Sequence, residues 1–334
     1  GAPGPPVVVS QDGSDRGVAA AVGDFKRAMA SARPGVQVVH LQHRQSRDGS
    51  DGYHKLAEHY GWDAEVRLWF ATINGHTQTP IASLHIYPVK SGRVIDCLEA
   101  RLGPRGLQHD RHWMLIDGDG RFLTQRTHPQ LARLAAEVVG PSLRLAHPAC
   151  GELMVDLPAD LPTPRDPIRR VAIWKRHHDA LDAGDAAARY CTRLIGAPTR
   201  LVCAIDQNFP DGYPLLVCNE ASLVDLNRRM QATLPMNRFR PNIVLRGLHA
   251  WDEDRIATLR IGTARLKLVK PCTRCVITSL DQSNGTAAEN PLPTLRAFRW
   301  NATLSGVTFG ENAEVQSGSG TTLQVGDEME ISWR

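Results

Sequence analysis

The chain has 334 residues, 42% hydrophobic and 22% charged, enough apolar sequence for two globular domains with cores of their own, which excludes a disordered tail. Its 39 Lys and Arg against 35 Asp and Glu leave a formal charge of +4, well short of the dense basic stripe that a phosphate backbone favours, so nucleic acid is not an expected partner. No run approaches the roughly 18 apolar residues of a membrane helix, Gly1 opens no signal sequence, and seven scattered cysteines fit the cytoplasm or another reducing compartment better than a disulfide framework.

Residues 1–79 combine Gly and Pro at the start with a polar HRQSRDGSDG stretch, and they share no strand spacing with residues 80–334. They read as a separate extension. From Ile81 onward short strands dominate: IASLHIYPV alternates apolar residues until Pro88, WMLIDGDGRFLTQR reads as two strands around Asp117-Gly118-Asp119-Gly120, and SLRLA and GELMVDL come soon after. A helix is predicted from about Asp185, acidic at its positive end, to Ile195, with Gly196 as the left-handed cap. Asn219 is placed to cap a second helix, NEASLVDLNRRM, in which Leu223, Leu226 and Met230 share one face as core packing. Strand patterns return in NIVLRG, TLRIG, ARLKLVK, CVITSL and TTLQVGDEMEISW. The expected fold is mainly β with a few helices: an extension over 1–79, a β-rich barrel or sandwich over 80–203, and a closed β-barrel over 204–334.

The segment KPCTRCVITSLDQ (270–282) asks what its sulfurs hold. In the preceding ARLKLVK, Leu266 and Leu268 point one way while Arg265 and Lys267 point the other, so a half-exposed strand delivers the chain to the cysteine loop. Read with CVITSL as a strand, Cys275 sits where loop meets strand, and Arg274 and Lys270 favour its thiolate. A structural zinc site would need a second ligand pair, which the spacing does not supply. A thioredoxin-like dithiol would open a helix rather than a strand. Two ordinary packed thiols remain a third reading, and the residues alone leave these alternatives open.

The stretches IYPVKS (86–91), HDRHW (109–113), DGYPLLVCNEASL (211–223), NRFRPNIVLRG (237–247), KPCTRCVITSLDQ and FGEN (309–312) occur in this order and resemble the MOSC-domain molybdenum proteins, in the branch of the amidoxime-reducing enzymes, over about residues 81–334. The resemblance implies an N-terminal MOSC β-barrel-like domain followed by a MOSC β-barrel. Together these would hold a molybdopterin cofactor whose metal is bound by Cys275, with Cys272 as an accessory position. It also implies that Lys90, Ser91, Arg111 and Arg240 supply cations and hydroxyls to the cofactor and its phosphate, which suits the chemistry of those side chains. Gly212, Tyr213, Asn242, Thr273, Arg274 and Asn312 are carried over to the same cofactor-binding role. Thr273 stands where relatives often have Ser, and the hydroxyl is retained.

The reaction so implied reduces N-hydroxylated substrates such as amidoximes, hydroxylamines or base analogues to amine-type products and water. Asp281 is a candidate general acid, with helix or strand capping as its alternative role. A non-catalytic cofactor carrier, like the C-terminal domain of molybdenum cofactor sulfurases, is the alternative from a different functional class. The chain shows neither the C-x4-C-x2-C spacing of an iron–sulfur cluster nor a G-x-G-x-x-G dinucleotide loop, so electrons are expected from a separate flavoprotein, cytochrome b5-like or iron–sulfur partner. VVVSQDG (7–13) and GYHKLAEHYGW (52–62) weakly resemble the start of Golgi N-acetylglucosaminyltransferases, but the acidic metal-binding motif of those enzymes does not come after them, and no transferase activity is expected.

Overall fold

Strands that bury one face and expose the other can satisfy every edge by closing on themselves, and seven strands of this chain do so. In chain order they are β1 (Gln78–Ile86), β2 (Leu215–Asn219), β3 (Ile243–Leu245), β4 (Ile256–Ile261), β5 (Ala264–Thr273), β6 (Gly306–Ser317) and β7 (Glu328–Trp333). Their order around the ring is β2-β3-β1-β7-β4-β5-β6, and β6 returns to β2 through Leu216 opposite Asn312. Only β2 and β3 run parallel within the ring. The computed structural model describes residues 7–9, 39–41, 78–156, 167–205 and 208–334.

The barrel interior is a product of the alternation. Leu266 and Leu268 of β5 are buried with Ile81, Leu84, Val217, Ile243, Leu259 and Met329, while Arg265 and Lys267 are exposed. Although β1 precedes every other element of this unit, it lies between β3 and β7 in the C-terminal barrel.

A four-stranded antiparallel sheet accounts for much of the region between β1 and β2, in the order Ile168–Ile173, Arg176–Asp182, Arg200–Ala204, Trp113–Ile116. A meander of Ala135–Val139, Ser142–His147 and Gly151–Asp156 joins the same core. Helix α1 (Gly184–Ile195) packs Ala187, Tyr190, Cys191 and Leu194 against Leu115, Leu143 and Leu201. It ends on Gly196 at φ 81°, as its C-terminal glycine predicts. Helix α2 (Glu220–Met230) begins where the Asn219 side chain accepts the Ala221 N–H at 3.1 Å, and Leu226 is buried with Leu223 and Met230 packed beside it. A third helix, α3 (Leu292–Phe298), is too short to show a period in sequence. Among the described residues no helix is long and apolar enough to cross a membrane.

Two strand expectations are corrected. CVITSL is a 3-10 turn over Val276–Ser279, because Thr278 folds back on Cys275: its N–H and hydroxyl both donate to the Cys275 carbonyl, at 3.1 and 2.9 Å. β5 correspondingly runs through Cys272 to Thr273. After Trp113–Ile116, the second half of WMLIDGDGRFLTQR makes only two isolated bridges, Phe122 with Ile116 and Arg121 with Ala172, since the Asp117 carboxylate accepts the N–H groups of Asp119 and Arg121.

The chain divides into units 1–77 and 78–334. In the first, Val7–Val9 pairs in parallel with Val39–Leu41. The rest of VVVSQDG and all of GYHKLAEHYGW lie outside the described residues. Thr79 is fully buried and Gln78 already pairs with Glu330, so a shortened chain must keep both. Starting at Gln78 is expected to preserve folding, whereas starting at Ile81 lowers the melting temperature by removing the first ladder of β1; thermal denaturation of both chains checks this.

The cap of α2 also creates a pH dependence. Glu253 is fully buried, accepts hydrogen bonds from Ser222 Oγ at 2.7 Å and Asn219 Nδ2 at 3.2 Å through Oε2, and leaves Oε1 without a partner among the described residues. Burial pushes its carboxyl up from 4.5 to about 7 despite those two donors. The folded chain therefore holds this proton more tightly than the unfolded one, and stability falls as pH rises from about 4.5 through about 7, then levels. Glu253→Gln is expected to stabilise the chain at pH 8 by on the order of 2 kcal/mol and to do little at pH 4. Urea unfolding at the two pH values measures it. A dependence of the same sign remains from buried Glu311, which burial pushes up to about 8 although Arg334 donates to it at 2.8 Å.

Candidate functional site

Every cofactor-binding residue carried over from the resemblance lines one cavity of about 470 Å³: Lys90, Ser91, Arg111, Gly212, Tyr213, Arg240, Asn242, Thr273, Arg274, Cys275 and Asn312. The fold gathers them from both sheets. Past the end of β1, Val89 bridges Trp113 and the Lys90 N–H donates to the Trp113 carbonyl, which anchors Lys90 and Ser91 to the four-stranded sheet. β5 and the turn after it bring Thr273, Arg274 and Cys275, and Asn312 comes from the neighbouring β6.

Lys90 is buried, Arg111 and Arg240 are half-buried, and all three are braced. Lys90 Nζ donates to the Phe209 carbonyl at 2.8 Å and to Asp211 Oδ1 at 2.6 Å, which leaves one of its three N–H bonds for the cavity. Burial lowers the lysine's pKa against the attraction of Asp211. Burial alone would raise the Asp211 carboxyl, but Lys90 and Arg126 hold it down at about 2. Arg111 pairs with buried Asp110 and donates to Asn242 Oδ1 at 2.9 Å and to the Arg240 carbonyl at 3.1 Å. Arg240 Nη1 donates to the Gly92 carbonyl at 2.8 Å and to Gln282 Oε1 at 3.1 Å. The Tyr87 ring packs against both guanidiniums, 4.4 Å from Arg111 and 4.1 Å from Arg240.

Two guanidinium nitrogens in this wall, Arg240 Nη2 and Arg274 Nε, are buried without a hydrogen-bond partner among the described residues. Burial pulls the Arg240 guanidinium down to about 10, so an anion in the cavity would relieve its desolvation. Ser91, Arg111 and Arg240 all adopt positive φ, at 65°, 48° and 56°. Such backbone conformations cost non-glycine residues roughly 1–2 kcal/mol each, and strain of this kind gathers where side chains must be aimed.

Arg274 is not directed as its sequence position suggests. Its Nη2 donates to the Phe239 carbonyl at 2.7 Å and its Nη1 to Cys272 Sγ at 3.0 Å, so the hydrogen bond goes to the first cysteine rather than to Cys275. Burial would lower its pKa, but the sulfurs of Cys272, Cys218 and Cys275 push it up. Cys275 is half-buried, lines the cavity and caps the 3-10 turn. Asn242 spends its carboxamide inside the wall: Oδ1 accepts from Arg111 and from the Leu216 N–H, and Nδ2 donates to the His85 carbonyl. Asn312 Nδ2 donates to the Pro271 carbonyl at 3.3 Å, and Lys270 Nζ lies 5.4 Å from the Tyr213 ring centre. Gly212 has no atom within 4 Å of where a Cβ would stand.

Asp281 lies outside the cavity wall. Its carboxylate accepts from the Ser283 N–H at 2.8 Å, from Ser283 Oγ at 2.7 Å and from Asn284 Nδ2 at 3.2 Å. The Ser283 backbone bond and its companions lower its pKa, and it is a turn cap. Sequence reasoning misses Tyr87, Asp110, Arg126, Asp211 and Trp174. It also misses Gln282, whose amide pairs reciprocally with Gln125 at 2.9 and 3.0 Å. Tyr87, Asp110, Asp211 and Gln282 stand within the quoted motifs, one to seven places from a cavity residue those motifs do point to.

Two family models match the chain, the MOSC N-terminal beta barrel domain over residues 78–198 and the MOSC domain over 205–330. Neither span includes residues 1–77. Mitochondrial amidoxime reducing component 2 of Homo sapiens is 34% identical over 244 residues, covering 66% of this chain and 72% of the relative. Mitochondrial amidoxime-reducing component 1 of Homo sapiens is 31% identical with the same coverage. The crystal structure of the YUAD protein from Bacillus subtilis covers 77% of this chain and 97% of its own at 9% identity, with a TM-score of 0.37, too low to bear on the argument.

Proposed function

Because the chain belongs to the MOSC family, by two matched domains and 34% identity to an amidoxime-reducing component, we propose that it reduces N-hydroxylated substrates on a molybdenum cofactor held by Cys275. The observation that carries this reading is the pair of buried, unpartnered guanidinium nitrogens of Arg240 and Arg274 in the same cavity as that thiol. A phosphate-bearing pterin supplies the anion they lack, and Lys90, Ser91 and Arg111 add an ammonium, a hydroxyl and a second guanidinium fork. The residues present therefore fit the group.

When bound, the cofactor supplies the two-electron redox change that cleaves the N–O bond. The chain's own residues bind and orient. An amidoxime or hydroxylamine, two electrons and two protons give the amine-type product and water. Asp211 is the only carboxyl lining the cavity among the described residues, and the Lys90 and Arg126 contacts that hold it at about 2 against burial keep it ionised near neutral pH. It braces Lys90 and does not donate a proton there. The two protons are drawn from solvent.

The electrons come from a separate carrier, a flavoprotein, a cytochrome b5-like protein or an iron–sulfur protein, and the charge of +4 favours an acidic one. Cofactor-loaded chain is expected to reduce benzamidoxime with a chemical reductant and not with NADH or NADPH alone. Turnover with the nicotinamide alone would remove the need for a partner. No turnover with a competent reductant, in a chain that contains metal and pterin, would make it a cofactor carrier.

A further inference from the structure

Building on that reading, we infer that Trp174 is a stacking platform at the cavity mouth that selects planar aromatic N-hydroxylated substrates over small aliphatic ones. Trp174 occupies the two-residue tip of the hairpin between Ile168–Ile173 and Arg176–Asp182, where Ile173 pairs with Arg176. Its backbone sits at φ 55°, a conformation that hairpin tips ordinarily give to Gly or Asn. A bulky indole at such a position costs stability, and this one recovers little by packing, since it is 56% exposed. Of the eight non-glycine residues at positive φ among the described residues, Ser91, Arg111 and Arg240 line the same cavity, and Trp174 is the fourth that does.

The ring is nevertheless held in place. Phe122 meets it edge-on, with centroids 5.1 Å apart and planes at 70°, and the Arg126 guanidinium lies 4.9 Å from its centre. Arg126 is in turn tied to Asp211 at 3.4 Å. The cavity thus has a polar region built from Lys90, Arg111 and Arg240, and an apolar lining to which Trp174, Ile277 and Leu304 contribute beside Cys275. An exposed, oriented indole offers a π face to any flat ring, and hydrogen bonds need not distinguish one ring from another. Aryl amidoximes and N-hydroxylated nucleobases are the flat members of the proposed substrate class, while an alkyl amidoxime has no ring to stack.

The test compares wild type, Trp174→Ala and Trp174→Phe, each cofactor-loaded and chemically reduced, on benzamidoxime and acetamidoxime. Trp174→Ala is expected to raise KM for benzamidoxime about tenfold with kcat within about twofold, and to leave both constants for acetamidoxime unchanged; Trp174→Phe retains most of the preference. Equal changes on both substrates, or none, would overturn the assignment. A binding arm separates it from the catalytic reading: benzamidine is titrated calorimetrically into wild type and Trp174→Ala. About tenfold weaker binding to the variant supports the platform even where wild type turns nothing over. Equal binding, or no binding to wild type, overturns it.

Discussion

Cys275→Ala is expected to yield a folded chain that retains neither molybdenum nor turnover, the largest effect of any single substitution in the cavity. The thiol lines the cavity, and within the family resemblance it is the one protein ligand to the metal; the other thiol of the lining, Cys272, is engaged by Arg274. Folding should survive, because the turn it caps is held by its carbonyl, which alanine keeps for the Thr278 N–H and hydroxyl. Cys272→Ala is the contrasting substitution. It removes the sulfur that accepts from buried Arg274 at 3.0 Å and leaves that donor unsatisfied, at a cost of roughly 1–3 kcal/mol of stability, with metal retained. Metal analysis beside urea unfolding separates the two. Metal lost from Cys272→Ala and kept by Cys275→Ala would exchange their roles.

Arg240→Met is expected to weaken cofactor retention by roughly 10- to 100-fold while leaving the barrel intact. Methionine fills much of the guanidinium's stem volume against Tyr87 but offers nothing to an anion, and one or two charge-assisted hydrogen bonds are worth about 1.5–3 kcal/mol each. The buried Nη2 without a partner is the reason to choose this arginine over Arg111, which already answers Asp110, Asn242 and the Arg240 carbonyl. Pterin and molybdenum contents of equally purified wild type and variant give the readout. Full occupancy in Arg240→Met would place the phosphate elsewhere in the cavity.

Much of this architecture is legible in the sequence because its signals are local. Alternation in ARLKLVK marks β5, Asn219 marks a helix start through its side-chain oxygen and Gly196 a helix end through its left-handed backbone, and each needs only a few neighbouring residues. The 3-10 turn after Cys275 reads as a strand in sequence because VIT has strand propensity, while the hydrogen bonds from Thr278 to Cys275 that decide it are a side-chain and backbone detail. The site residues are marked by ordered motifs, but their bracing is not. Gln125 and Gln282 lie far apart in the chain, as do Arg240 and Gly92, and only the closed fold brings each pair into contact. Trp174 carries no motif at all, and its significance lies in a backbone angle and an exposure that a string of letters does not display.

The placement of β1 between β3 and β7 also governs the time course of folding. Gln78 waits for Glu330, and Leu84 for Ile243, so the ring cannot close while the chain is still emerging from the ribosome short of β7. The helix α1, the four-stranded sheet and the cores they pack draw on residues between Val89 and Phe209, and can assemble while β1 still has an unpaired edge. Closing so long a loop is entropically slow, and an uncovered strand is an invitation to pair with other chains. Yield of native protein should therefore rise when nascent chains are dilute, a dependence that belongs to the order of strands and not to the chemistry of the cavity.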